Sequence, residues 1–462
     1  MAAKNTDLAA TPDPSAASSL GRASWVLFEW GRNPYVLVVT IYIYATYFSR
    51  DIVGDPVRGQ ALWAEIQGYA GLGVAVLAPF LGAIADAGGR RKPWIFVFSV
   101  ILMFGTAALW FGEPMGMGLG LAGIGAVIAI SHVAYDGSLV FHSAMLPGIV
   151  PPRRIGSWSG LGLGLGNIAG IVLLLFVLVF FYVPAEPLFG LDKATHEHER
   201  IVGPLCALWF ALFSIPFFLW TPDRPRTGLP AGVAVRQGIA SVVRTLKSLK
   251  HYRNVGLYLL SRMLYNDGLN VMLSLGGVYA VGVFGWGEIE SASYGIVLSV
   301  FAALGGLLGG RLADRIGTKR ALQLSLTGVI IGALGSLGFQ PDRIFFVIPY
   351  ERGSIVANLP VFRTAPELLY IATVMLIAVC LVATYANSRA MMARIAPHAR
   401  MTQFFGLYAL SGEATAFLAP TAIAVVTSVT GSQQWGMVTT SGFLALGLIG
   451  LSFVREERAE EA

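Results

Sequence analysis

Acidic side chains inside apolar stretches are the first candidates for chemistry in this sequence. Asp136, Asp267 and Glu413 each stand within a mainly apolar run of roughly the length that crosses a bilayer. A charged group in a membrane-spanning helix is costly, and it usually faces a cavity, a substrate or an ion pathway. These carboxylates therefore predict a site that binds a charged solute or carries a proton.

Asp267 lies about 13 residues into its apolar run, near the midplane, where secondary transporters bind substrate. The tripeptide Asn-Asp-Gly at 266–268 favours a local helix break that frees backbone groups beside the carboxylate. Asn270 shares the face of Asp267 at i+3, whereas Arg262 points elsewhere. Two interpretations stay open: a substrate or coupling site that includes Arg262, Tyr265 and Asn266, or a buried salt bridge to a neighbouring helix.

Another apolar run carries a polar stripe of Ser131, Tyr135 and Ser138 at i, i+4, i+7, and it also carries His132 and Asp136 at i, i+4. A His–Asp pair can hold or relay a proton in the physiological range. His142 continues the stripe, and its alternative role is a hydrated residue close to the cytoplasmic surface. Both interpretations of the stripe stay open.

Charged side chains in apolar runs also include Glu413 and the pair Glu29 and Arg32. Glu413, near the midplane, is a candidate counter-charge or coupling site. Glu29 and Arg32 are spaced at i, i+3 on the first apolar run, where packing or gating is favoured over substrate contact.

The sequence has no pattern typical of a cofactor or metal enzyme. Cys206 and Cys380 are far apart and lack the spacing of zinc ligands or of a disulfide framework. The glycine-rich run at 156–170 lies inside an apolar run with no preceding strand, so its Gly-x-x-x-Gly spacings indicate helix packing rather than dinucleotide binding. A Walker loop is missing as well. We therefore expect no cofactor, no metal centre and no enzymatic activity.

The elements that position these residues follow from composition. With 55% hydrophobic and 13% charged residues in 462, the chain is an integral membrane protein rather than a soluble globule. Segments long enough to cross a bilayer recur throughout, which predicts an all-α polytopic protein without a need for strands. The expected spans are 25–48, 61–84, 93–112, 117–145, 157–183, 202–220, 254–284, 290–310, 320–338, 366–393, 403–429 and 435–454.

The longest charged connection divides these spans six and six. Within it, Ile239, Val242, Val243, Leu246 and Leu249 share one side of an amphipathic helix. The expected organisation is a disordered cytoplasmic tail at 1–24 rather than a signal peptide, a six-helix bundle at 25–220, a cytoplasmic linker at 221–253, a second six-helix bundle at 254–454 and a cytoplasmic tail at 455–462.

A charged decapeptide occurs once in each half, as GAIADAGGRR and GRLADRIGTK. Glycine permits close helix approach, and the carboxylate can accept hydrogen bonds from the positive N-terminus of a helix in the other half. We expect two latches that close the cytoplasmic side. Their residues are Gly82, Asp86, Gly89, Arg90 and Arg91 in the first copy, and Gly310, Asp314, Arg315, Gly317 and Lys319 in the second.

Two six-helix halves with this loop at matching places resemble the major facilitator superfamily. In that pattern Ala87 stands where an arginine is usual, so we expect the first latch to be the weaker one. The strings at 257–280 and 394–420 are similar to helices 7 and 11 of its vacuole-effluxer-like branch, which includes a fungal autophagy-related vacuolar amino-acid exporter and bacterial relatives. The resemblance extends, more loosely, to 28–35 and 135–150.

Three polar positions depart from that branch. Its usual Asp-Trp-Ala-Asn-Ser is replaced here by Glu-Trp-Gly-Arg-Asn at 29–33. In addition, Asp136 replaces an asparagine and Glu413 replaces a lysine. The resemblance implies a monomeric secondary active transporter of a bacterial inner membrane. We expect it to move a small polar solute, amino acids or related compounds among them, by alternating access coupled to H⁺. An exporter of an amphiphilic or lipid-like compound and a non-transporting membrane assembly factor remain alternatives.

Of the 32 Lys and Arg residues, 23 fall in connections that share one side of the membrane if both termini are cytoplasmic, and seven fall on the other side. This asymmetry assigns the richer side to the cytoplasm and accounts for the net charge of +6 without nucleic acid. In a variant lacking Cys206 and Cys380, a cysteine placed within 192–200 should react with a membrane-impermeant thiol reagent added outside. A cysteine near Lys247 should not react, and the reverse pattern would overturn the orientation.

Overall fold

The computed structural model describes residues 17–247 and 252–457. The predicted N-terminal tail lies largely outside these residues, and the first helix begins at Ser19 rather than at 25. The first half of the fold runs to residue 220. Its helices are α1 (Ser19–Arg32), α2 (Tyr44–Tyr47), α3 (Pro56–Gly88), α4 (Lys92–Ala108), α5 (Gly120–Ile149), α6 (Ile155–Val177), α7 (Glu197–Arg200) and α8 (Val202–Trp220), with π-helical segments at Tyr35–Tyr42, Phe48–Ile52 and Leu178–Tyr182 and 3₁₀ turns at Leu109–Phe111, Pro114–Gly116, Pro152–Arg154 and Leu188–Gly190.

A linker helix, α9 (Ala231–Lys247), leads to the second half. The helices of that half are α10 (Arg253–Phe284), α11 (Glu288–Ile316), α12 (Thr318–Leu337), α13 (Ala365–Ile395), α14 (Met401–Glu413), α15 (Leu418–Thr430) and α16 (Gln433–Ser452), with a 3₁₀ turn at His398–Arg400.

The loop after α12 contains a small antiparallel sheet that the sequence analysis did not anticipate. Strands β1 (Phe339–Gln340), β2 (Arg343–Ile344) and β3 (Ile348–Pro349) lie in the order β1-β2-β3. Phe339 pairs with Ile344, which pairs in turn with Ile348. These short strands belong to a loop outside the apolar runs, so hydropathy gave no signal for them.

Within the described residues, eleven helical stretches are long and apolar enough to cross a membrane, with α14, α15 and the turn between them counted as one stretch. The remaining stretch, 19–52, is helical almost throughout but is divided into four short pieces. Together they confirm the all-α polytopic fold. Large apolar side chains on the outer faces, such as Leu208, Leu212 and Leu219 of α8, are more than half exposed, as contact with lipid requires.

The break in the first stretch has a local cause. Pro34 has no backbone N–H, so the carbonyl of Trp30 loses its helical donor. The indole N–H of Trp209 on α8 donates to this carbonyl instead, at 3.1 Å. Inside a membrane such a freed carbonyl needs a protein partner, because no water is at hand.

Two helix crossings bring the halves together, and glycine makes both possible. On α6, Gly160 lies against the backbone of Gly306 and Gly310 on α11, with no space for a side chain. At the second crossing, Gly82 of α3 lies against Thr402 at the start of α14. The helix-packing interpretation of the glycine spacings is confirmed.

The two decapeptides lie at one end of the molecule, called the latch end. Asp314 accepts hydrogen bonds from the backbone N–H groups of Gly156 and Ser157 at 2.9 and 2.8 Å, at the start of α6 in the other half. Asp86 accepts one from the N–H of Gln403 at 2.9 Å and one from the Thr402 hydroxyl at 2.7 Å, at the start of α14. Each carboxylate thus neutralises the positive end of a helix from the opposite half.

The expected weakness of the first latch is not seen in these contacts. Although Ala87 carries no charge, the Arg91 guanidinium pairs with Asp86 at 3.2 Å and also donates to Thr402 at 2.7 Å. In the second latch, Arg394 lies 3.5 Å from Asp314. An arginine five positions after the aspartate therefore takes the place of the one that the motif lacks.

The linker helix α9 packs against the first latch. Gln403 bridges to it, accepting from Ser241 at 3.0 Å and donating to Thr245 at 2.9 Å. On the predicted apolar side, Val242 is buried against the protein, whereas Ile239 and Val243 are exposed, as an interfacial helix requires. Leu246 and Leu249 lie outside the side chains that the structure describes.

Both latches are closed in the structure, so weakening either should favour states open at the latch end. We expect Asp86→Asn and Asp314→Asn to raise the reactivity of cysteines placed in the cavity from that end, and to do so to similar extents. The reason is that each substitution removes the negative charge facing a helix N-terminus but keeps the side chain's shape. Arg343→Gln, on the exposed sheet, is the control. A much smaller effect of Asp86→Asn would restore the asymmetry that the motif alone predicts.

Candidate functional site

A cavity of about 230 Å³ lies between the two halves. It is called here the central cavity, and it is lined by α3, α5 and α6 from the first half and by α10, α13 and α14 from the second. Its polar lining residues are Asp136, Ser143, Arg262, Asn266, Asn270, Tyr385, Arg389, Tyr408 and Glu413.

One wall of the cavity is formed by a broken helix. Residues 414–417 form a turn between α14 and α15. In this turn the backbone N–H of Ala416 donates to the backbone carbonyl of Glu413 instead of to that of Gly412. The freed Gly412 carbonyl accepts the side-chain amide of Asn266 at 3.1 Å. Pro420, a few residues later, lacks the N–H that would continue the helix.

The predicted break at 266–268 is therefore wrong, because α10 is continuous and the break lies in the helix beside it. The side chains of Asn266 and Asp267 form hydrogen bonds with Gly412 and Thr415 in the neighbouring broken helix rather than with their own helix. Gly268 lies against Leu444 on α16, so its small size serves close packing.

Arg262 supplies positive charge at the cavity wall. Its guanidinium stacks on the ring of Tyr408 at 3.6 Å and donates to the Tyr408 carbonyl at 2.7 Å and to the Ser411 hydroxyl at 2.8 Å. Its Nε has no hydrogen-bond partner within the described residues. The group is thus held firmly while part of its donor capacity stays unused.

Asp267 does not line the central cavity. It is fully buried, and one carboxylate oxygen accepts a hydrogen bond from Thr415 at 3.1 Å, in the turn of the broken helix. The other oxygen has no partner in the described part of the chain, and no ion pair with Arg262 forms there. Asn270, expected on the same face, lines the cavity and accepts from the Tyr385 hydroxyl at 3.1 Å.

Tyr265 also lies away from the cavity. Its hydroxyl is 2.8 Å from that of Ser388 on α13 and belongs to a buried hydroxyl cluster with Tyr258.

The predicted His132–Asp136 pair forms, with 3.3 Å between Nε2 and Oδ2, and Asp136 faces the cavity. His142 is separate from this pair and fully buried, with its ring stacked on Trp25 at 4.4 Å. Exposure of His142 near the surface is therefore ruled out.

Glu413 reaches from the second half to the first. Its carboxylate occupies the space beside Gly71 of α3, where any side chain would displace it. No hydrogen bond or ion pair engages this carboxylate among the residues the structure describes. It is therefore a cavity acid available to a ligand.

Sequence reasoning missed Arg389, which was one of the 23 Lys and Arg residues assigned to connections on the cytoplasmic side. Arg389 is buried on α13 and pairs with Glu29 at 2.6 Å, linking the two halves. Glu29 also forms the expected pair with Arg32, at 2.6 Å. The hydroxyl and carbonyl of Ser159 accept further hydrogen bonds from Arg389. The sequence feature that could have revealed Arg389 was its position inside the predicted span 366–393, because a charge within a membrane span needs a partner.

Comparison of the sequence with known proteins identifies its family. Residues 66–462 match the family described as vacuole effluxer Atg22-like. The chain belongs to this family. It is similar to the uncharacterized MFS-type transporter YxiO of Bacillus subtilis, with 24% identity over 449 residues that make up 95% of each chain. Autophagy-related protein 22 of Cryptococcus neoformans is 21% identical over 304 residues, which is 65% of this chain but only 50% of the fungal protein.

Solved structures show the same fold. The proton:xylose symporter XylE superposes with a TM-score of 0.68 at 12% identity, covering 97% of this chain and 99% of XylE. A bacterial homologue of ferroportin in an outward-facing state gives 0.64 at 13% identity, covering 94% and 98%. The family match and the similarity to an MFS-type transporter, together with this shared fold, support an MFS-type, multi-pass membrane transporter.

Proposed function

We propose that this protein moves a small solute carrying both a positive and a negative charge, such as an amino acid, by proton-coupled alternating access. The observation that carries the proposal is the pairing of unlike charges across the central cavity. Arg262 lies in its wall, and the carboxylates of Glu413 and Asp136 face the same space.

The chemistry of these groups fits a zwitterion. A guanidinium binds a carboxylate through directed N–H donors, and Arg262 lines the cavity with its guanidinium held in place by Tyr408 and Ser411. Glu413 is an acceptor that could bind an ammonium group. The volume of about 230 Å³ lies below the range typical of sites for drug-sized ligands, which favours a smaller solute.

Alternating access is supported by the contacts that cross between the halves. Opening the latch end requires both aspartates to release their helix N-termini, and the Glu29–Arg389 ion pair crosses between the halves as well. A solute that bridges Glu413 to groups of the other half would change the balance among these contacts. If it binds the states closed and open at the latch end with different affinities, it shifts the equilibrium between them.

Proton coupling is supported by Asp267 and by the His132–Asp136 pair. Asp267 is buried without a cation partner among the described residues, and such a charge is costly in a membrane. A bound proton removes that cost. We place the protein in a bacterial inner membrane as a monomer, with the latch end and both termini in the cytoplasm.

A second candidate is transport of an amphiphilic compound. A separate cavity of about 590 Å³ lies toward the end opposite the latches, called the far end, and has a mainly apolar wall. Tyr42, Trp286, Tyr294 and Tyr370 contribute aromatic rings to it.

Counterflow in proteoliposomes distinguishes these candidates, with amino acids, dipeptides, sugars, organic cations and a lysolipid presented separately. We expect amino acids to exchange, and Arg262→Gln to weaken their apparent affinity about 10- to 100-fold, because a charge-assisted hydrogen bond contributes about 1.5–3 kcal/mol. The exposed Arg343→Gln should behave as the wild type. Exchange of the lysolipid alone would favour the amphiphile, and exchange of no compound would favour an assembly factor.

Coupling is tested separately with Asp267→Asn, which keeps the shape and the contact to Thr415 but cannot carry the proton. We expect exchange without a gradient to persist, while accumulation driven by an imposed pH gradient disappears. Undiminished gradient-driven accumulation would remove Asp267 from the mechanism. Double substitution with Arg262→Gln should not rescue coupling, because the two side chains are not paired.

A further inference from the structure

Three ionisable side chains meet at the far end of the first half, outside the central cavity. Asp51 lies in the last turn of the first helical stretch, while His196 and Glu199 belong to the segment that precedes α8. One ligand-type atom from each lies within 4.8 Å of the others. This group is called here the far-end cluster.

Glu199 fixes the orientation of the imidazole. One carboxylate oxygen is 2.6 Å from Nδ1 of His196, and the other accepts the Tyr182 hydroxyl at 2.8 Å. A carboxylate only accepts, so Nδ1 carries the proton of this hydrogen bond. The lone pair of the neutral ring is therefore on Nε2, which faces Asp51.

Nε2 of His196 lies 3.9 Å from Oδ1 of Asp51. This separation is too long for a hydrogen bond. Two ligands bound to one ion at about 2.1 Å stand about 3.4 Å apart in tetrahedral geometry, so a small side-chain movement closes the difference. A histidine that donates its other N–H to a carboxylate is the usual arrangement at metal sites.

Two unpartnered atoms provide independent support for a ligand here. Oδ2 of Asp51 is buried and accepts no hydrogen bond in the described part of the chain, and the same holds for Nδ1 of His198. Buried polar atoms are rarely left without partners. The ring of His198 lies 6.2 Å from that of His196, so a change of rotamer could add it as a third ligand.

We propose that the far-end cluster binds a divalent transition-metal ion of the Zn²⁺ class. Nε2 of His196 and the carboxylate of Asp51 are the ligands, Glu199 orients His196, and His198 or water completes the coordination. Imidazole and carboxylate together suit this class of ion. The bound ion would tie the end of the first helical stretch to the segment before α8. That stretch also supplies Tyr42 to the wall of the far-end cavity.

The test uses the full chain purified in detergent with a tag that contains no histidine, stripped with a chelator and titrated with Zn²⁺ by calorimetry. We expect one equivalent to bind, at least tenfold weaker binding by Asp51→Asn and by His196→Gln, and a 10- to 100-fold loss for Glu199→Gln. Glu186→Gln, an exposed carboxylate of the same loop, is the matched control and should bind as the wild type.

Size-exclusion profiles establish that each variant is folded. If His196→Gln does not fold, Asp51→Asn together with X-ray absorption of the Zn²⁺-loaded wild type decides the question. An imidazole among nitrogen and oxygen ligands supports the site. The proposal fails if the wild type binds no stoichiometric Zn²⁺, if Asp51→Asn leaves binding unchanged, or if absorption shows no imidazole.

Discussion

The absence of water in the bilayer interior governs how this chain is built, because each backbone group or charge freed there needs a partner from the protein. Trp209 provides one for the carbonyl that Pro34 leaves free, and Asn266 does so for the carbonyl of Gly412. Glu29 is compensated by arginines from both halves. Each helix break is thus tied to one neighbouring helix, which fixes the helices relative to one another.

The same constraint separates structural charges from candidates for function. Glu29 has its partners and packs the halves together, whereas Glu413 and one oxygen of Asp267 have none among the described residues. Keeping such groups in the membrane costs free energy, so a ligand or a proton that compensates them is expected. The solute binding proposed for the central cavity and the coupling role proposed for Asp267 both follow from this cost.

The two latches hold one end of the molecule closed in this structure. Each depends on a carboxylate at the positive end of a helix, and glycine lets the helices approach closely enough for these bonds to form. Because these hydrogen bonds join the two halves, the alternating access proposed above would require them to break. A rocking motion of two rigid halves is consistent with this arrangement.

Hydropathy and the repeated decapeptide determined the all-α membrane fold and the role of glycine at the helix crossings, because these depend on composition and local spacing. The i, i+4 pair of His132 and Asp136 followed from helical geometry alone. Sequence could not decide which neighbour a side chain meets. It placed the break in α10 instead of α14, put Asp267 in the cavity and counted Arg389 as a loop charge. Those outcomes depend on contacts between residues far apart in the chain, and only tertiary packing selects among the helices that could supply each partner.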